Sequence, residues 1–141
     1  MEEKLINMLQ ALTLINLRRI NRFKEASEDL LVKENSDIKQ VLIEGVHQSR
    51  EFVLELAFMI RLLDGEPPEP GNEELSTGEK VIDAPHSRLQ TILKSEDKNL
   101  KEYDRLMKVN ETVDNDLYNR IRLQRLGIKQ HQMKLAALLS E

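Results

Sequence analysis

The sequence predicts an all-α fold, a bundle of four amphipathic helices, and three observations carry that prediction. Apolar residues return every three or four positions through four long stretches. Helix-breaking residues are gathered between the second and third of them, with three of the four prolines falling from Pro67 to Pro70. The composition, 33% charged and 40% hydrophobic with only 4% aromatic, is that of a helix-forming soluble chain. At 141 residues it is expected to form one domain over 1–141, long enough to bury a single core.

The first helix is predicted over about 3–31, where Leu5, Met8, Leu9, Leu12, Ile15, Ile20, Phe23, Ala26 and Leu30 keep helical spacing without a proline or glycine. The polar run Lys33 to Asp37 interrupts the pattern, and Ser36 or Asp37 is the expected N-cap of a second helix over 37–64. Its stripe reads Ile38, Leu42, Gly45, Ser49, Phe52, Leu56, Met59 and Leu63. Gly65 suits the left-handed position that closes a helix, and the prolines after it impose extended backbone.

The connection is expected over 65–84, with Ser76 and Glu79 at capping-box spacing for a short helical turn and Pro85 in the first turn of a third helix over 85–109. If extended it could span roughly 60 Å, against about 40 Å for a helix of this length. Length therefore permits a full crossover as well as a local up-and-down turn. The third stripe carries Leu89, Ile92, Leu93, Leu100, Tyr103 and Leu106. A fourth helix, over about 113–139, carries Leu117, Ile121, Ile128, Leu135 and Leu138.

Several chemistries are excluded or disfavoured by composition. The chain has no cysteine, hence no disulfide framework, thiolate nucleophile or Cys-based metal site. No Gly-rich phosphate loop or nucleophile elbow is present. The segment after Met1 lacks the pattern of a signal peptide, no stretch is apolar enough for a membrane span, and a cytoplasmic location is expected. A formal net charge of -4 argues against general nucleic-acid binding. Arg18, Arg19 and Arg22 on the first helix, and Arg120, Arg122, Arg125, Lys129 and Lys134 on the fourth, read as solvated faces with scattered ion pairs.

Each apolar stripe is interrupted near its middle. Asn16 and Arg19, Gly45 and Ser49, Glu96, then Gln124 and His131 supply the breaks, and Asn16, Ser49, Glu96 and Ile128 fall near the same height if the helices pack antiparallel in pairs. This predicts a buried polar layer of Asn16, Arg19, Ser49, Glu96, Gln124 and His131. A buried glutamate requires a partner, and Arg19 and His131 are the expected ones for Glu96. Gly45 should allow close helix approach, or leave a small pocket beside Ser49 lined by Leu12, Phe52 and Tyr103.

The layer has a repeated spacing. Asn16 lies seven residues before Phe23, with Ser49 and Phe52 at x-x spacing on the next helix; Glu96 lies seven before Tyr103, with Ile128 and His131 at x-x spacing on the next. This resembles the ferritin-like superfamily, whose di-iron members carry a glutamate seven residues before an aromatic on one helix and Glu-x-x-His on the next, in each half. Together with Leu63-Asp64-Gly65-Glu66-Pro67, the order of motifs resembles small bacterial ferritin-like proteins grouped as a domain of unknown function. The resemblance implies a ferritin-like bundle in which Asn16, Ser49, Phe52 and Ile128 stand where ligands would be.

One carboxylate and one imidazole are too few for a di-iron pair, which needs several carboxylates to neutralise and bridge the cations. No cofactor is therefore expected. Glu96 and His131, with Asn16, are the fallback ligands for iron or manganese in an alternative reading as a metal-binding oxidase or storage protein. A literal Glu-x-x-His at Glu44 and His47 shares a face with Glu51 and Glu55, away from the stripe, and is read as solvent-facing. His86, beside Pro85, is read as exposed or capping. The expected role is a non-catalytic structural or protein-interaction module with a protein partner or self-association, without nucleic acid or membrane.

Overall fold

The computed structural model describes residues 2–29, 35–69, 85–110 and 115–140. They form four helices: α1 Glu2–Glu28, α2 Ser36–Leu62, α3 Pro85–Val109 and α4 Asn115–Leu139. The cap of α2 corrects the sequence reading by a residue. Asn35, in extended backbone, accepts from the Ile38 amide at 3.1 Å through its side chain, so Ser36 already lies inside the helix.

The end of α2 is also built differently. The Gly65 amide donates to Ile60 O at 2.9 Å and the Asp64 amide to Arg61 O at 3.0 Å, the paired bonds of a Schellman closure. Asp64, with φ 63°, takes the left-handed position expected of Gly65; a short polar side chain tolerates it. Gly65 serves proximity instead, because a Cβ there would meet Ile6 Cγ2 at 2.9 Å and Ile60 Cγ2 at 3.0 Å. The capping-box residues Ser76 to Glu79 and the side chain of His86 lie outside the described residues.

α1 packs on α2 and α3, and α4 packs on the same two helices, leaving α2 and α3 at diagonal corners. Contacts fix the directions. Arg19 meets Gln48 while Gln10 meets Glu66, so α1 and α2 are antiparallel. Asn16 meets Tyr103 while Arg19 meets Glu96, so α3 opposes α1. Glu55 meets Gln124 while Glu44 meets Lys134, so α4 opposes α2. α2 and α3 therefore run the same way.

The end of α2 sits beside Ile6 and Gln10, at the start of α1. The start of α3 sits at the other end, where Arg88 reaches Asp29 at 3.4 Å. Between them stands the whole of α1, 27 residues and about 40 Å at ~1.5 Å per residue. The described end of α2 and the start of α3 thus lie at opposite ends of the bundle.

The apolar stripes meet in two clusters. The larger gathers Leu9, Leu12, Leu56, Met59, Ile60, Leu100 and Ile121 at the end where α1 begins. The smaller gathers Phe23, Ala26, Val41, Leu42, Leu89 and Leu135 at the other end. Separate clusters mean that the core is interrupted between them, at the level of Asn16, Arg19 and Glu96.

Candidate functional site

Arg19 occupies the interruption. It is 1% exposed, and its guanidinium is shared among three helices. Nε donates to Glu96 Oε1 of α3 at 3.1 Å, Nη1 to Asn16 Oδ1 of α1 at 2.9 Å, and Nη2 to Gln48 Oε1 of α2 at 2.6 Å. Its Cζ also lies 5.3 Å from the centroid of Phe23, a cation–π distance. The fork geometry of guanidinium suits this task, since a lysine would present one point charge where three directions are needed.

Glu96 is 2% exposed and also accepts from Asn99 Nδ2 at 3.0 Å. From Arg19 the network continues through Asn16, whose Nδ2 donates to the Tyr103 hydroxyl at 2.8 Å. That hydroxyl donates to Gln124 Oε1 at 2.8 Å, and Gln124 Nε2 donates to Glu55 Oε1 at 2.8 Å. All four helices are joined by one chain of directional bonds. Burial, the dominant influence, pushes the Tyr103 phenol far up, so it stays a neutral donor.

Asn16, Arg19, Ser49, Glu96, Gln124 and His131 are all buried, yet they divide into two groups. Asn16, Arg19, Glu96 and Gln124 belong to the network. Ser49 instead donates to Gly45 O of its own helix at 2.7 Å. His131 bonds the Val41 carbonyl through Nε2 at 2.7 Å, so Arg19 alone of the two expected partners holds Glu96. Because a carbonyl only accepts, Nε2 carries the proton and neutral His131 leaves Nδ1 bare. Burial first, and the nearby Arg19 charge, hold the imidazole below its ordinary value.

Gly45 explains the position of that ring. A Cβ there would lie 2.8 Å from both His131 Cε1 and Phe23 Cδ2, while the two rings meet edge to face with centroids 5.0 Å apart. The space expected as a pocket at Gly45 is therefore filled by Phe23 and His131.

The network also draws in residues that sequence reasoning placed elsewhere. The apolar stripe of α3 includes Tyr103, and helical spacing puts Glu55 on the solvent face of α2; Glu55 is half-buried and accepts from Gln124. Gln48 and Asn99 carried no prediction. The available signal was chemical: buried amide and guanidinium groups need partners, and these polar residues flank the stripe. The Glu-x-x-His at Glu44 and His47 does leave His47 exposed, and Glu44 pairs across to Lys134 at 2.9 Å, which lowers its carboxyl pKa.

These residues do not fit a di-iron centre. Glu96 Oε1 already faces a fixed cation and an amide, Ile128 is buried in the larger apolar cluster, and Phe52 packs beside Gly127. Among the described residues no group of three or more His, Cys, Asp or Glu side chains could hold a metal ion. Nor, among them, is any helix long and apolar enough to cross a membrane. No protein-family model, curated protein or solved structure matches this chain.

Proposed function

We propose that this chain is a non-catalytic ferritin-like bundle, of bacterial type and cytoplasmic, that serves as a structural or protein-interaction module. One observation carries the reading: the Arg19 guanidinium lies against Glu96 in the layer where di-iron relatives by resemblance would hold their cations. An internal cation neutralises the carboxylate, and the network anchored on it gives the four helices a common register. The parallel course of α2 and α3, with the end of one and the start of the other at opposite ends of the bundle, supports the ferritin-like part of the reading.

A second reading, an iron or manganese oxidase or storage protein at Glu96 and His131 with Asn16, is favoured by one feature. Glu96 Oε2 and His131 Nδ1 are both buried without a hydrogen-bond partner among the described residues. It requires Arg19 to give way, because a divalent ion beside a guanidinium meets like charge.

Calorimetric titration of metal-free protein with iron(II) and with manganese(II) separates the two, repeated on the Glu96→Gln, His131→Ala double variant. The module reading predicts no heat above dilution in either protein. Saturable heat in the wild type that vanishes in the variant would overturn it and establish the metal site.

A further inference from the structure

We propose that the outward face of α4 docks an acidic amphipathic helix from a protein partner; this deepens the interaction-module reading and rests on it. α4 turns Ile121, Ile128 and Leu135 into the core. On the opposite side Leu123, Leu126 and Met133 are 66%, 48% and 60% exposed. With exposed Gln130 and Ala137 they alternate three and four residues apart, and at ~100° per residue they fall within roughly 80° of arc. That is the narrow seam of a coiled coil.

Charge identifies the occupant. The positions flanking this seam, which in a coiled coil face the partner's charges, hold Arg120, Arg122 and Lys129, together with Lys134, which pairs with Glu44 of α2 at 2.9 Å, and no acid. Across α4 five cations stand against one acid, Asp116, in a chain whose net charge is -4; Arg125 and Lys134 are met by Asp104 and Glu44 of neighbouring helices, which leaves Arg120, Arg122 and Lys129 as the charges turned to a partner. A second copy of α4 would place cation on cation and be repelled, whereas a helix with Glu or Asp at its own flanking positions is attracted. Beside Leu123 and Leu126 an open groove of about 680 Å³, reaching Met107 and Asp104 of α3, widens the surface available to such a helix. A lipid surface fits less well, since the apolar band is narrow.

The test is fluorescence anisotropy of a labelled synthetic peptide of four heptads, Leu at the seam positions and Glu at the flanking ones, against the full chain. A peptide with Lys in place of Glu, and phosphatidylglycerol vesicles, are run beside it. The protein variants are Leu126→Ser with Met133→Ser, and Arg122→Glu with Lys129→Glu, all at surface positions, with folding checked by circular dichroism. Expected are saturable binding of the Glu peptide, none of the Lys peptide, and about tenfold or greater weakening in each variant pair. Failure of the wild type to bind the Glu peptide, or equal binding by the variants, overturns the proposal. Variant-sensitive binding to vesicles alone reassigns the face to lipid. Sedimentation showing self-association that Leu126→Ser with Met133→Ser abolishes reassigns it to a second copy. The metal titration above remains the separate test of the non-catalytic reading, so the two can fail independently.

Discussion

At one end of the bundle Leu9, Leu12, Leu56 and Ile60 meet with no exposed surface; farther along α1, Arg19 meets Glu96, equally buried. The apolar layer is held by removal from water, which is strong but indifferent to small shifts of one helix along another. The polar waist gains little net energy, because the desolvation of two charges offsets most of their attraction. It is, however, intolerant of displacement, since a slip of one turn would leave a guanidinium and a carboxylate buried without partners. The ends therefore stabilise the bundle, and the waist selects its register.

Single substitutions should sharpen the contrast. Arg19→Met strands Glu96 with Asn99 as its remaining donor and is expected to cost about 3–5 kcal/mol. Leu12→Ala, in the apolar layer, should cost about 2–5 kcal/mol through lost transfer energy and a cavity. The sizes overlap, but the causes separate on Glu96→Leu, which should rescue the first variant and not the second. Urea unfolding with unchanged m-values measures all three. Next in size, Tyr103→Phe removes the hydroxyl joining Asn16 to Gln124 and should cost about 1–3 kcal/mol, read in the same titration.

The His131 side of the waist predicts a pH dependence. Its folded pKa lies below the unfolded value of about 6.5, so the unfolded chain takes up a proton that the folded chain resists. Stability should therefore fall as pH drops below about 6.5, and level off only below the folded pKa. His131→Gln should flatten that slope by at most ~1.4 kcal/mol per pH unit in unfolding curves from pH 7.5 to 5. An unchanged slope would mean that the ring is not held neutral by burial. Smallest of all, Arg125→Ala breaks only an exposed pair with Asp104 and should shift stability by less than about 1 kcal/mol.

Much of this was legible in the sequence. Helical periodicity located four helices, and the polar interruptions at Asn16, Arg19, Glu96 and Gln124 marked the waist, because a buried polar residue on an apolar stripe leaves a visible break. What escaped depended on atoms rather than patterns. Asn35 caps α2 because its side chain reaches the Ile38 amide, a competition with Ser36 that residue type alone does not decide. Asp64 takes the left-handed position because Gly65 is needed against Ile6, which lies far away in sequence. The roles of Tyr103 and Glu55 follow from Gln124 lying between them, a juxtaposition set by the packing of three helices. The parallel course of α2 and α3 likewise rests on tertiary contacts, since the length of the connection allows either route.

Arg19 and Glu96 together set the register of the waist as one unit. A double-mutant cycle tests it most directly: urea unfolding of wild type, Arg19→Met, Glu96→Leu and the combined variant. The combined variant is expected to remain a folded four-helix protein and to be more stable than Arg19→Met alone, with a coupling energy of about 1–3 kcal/mol. Simple addition of the two single costs would contradict it, and the waist would then be a set of independent polar residues.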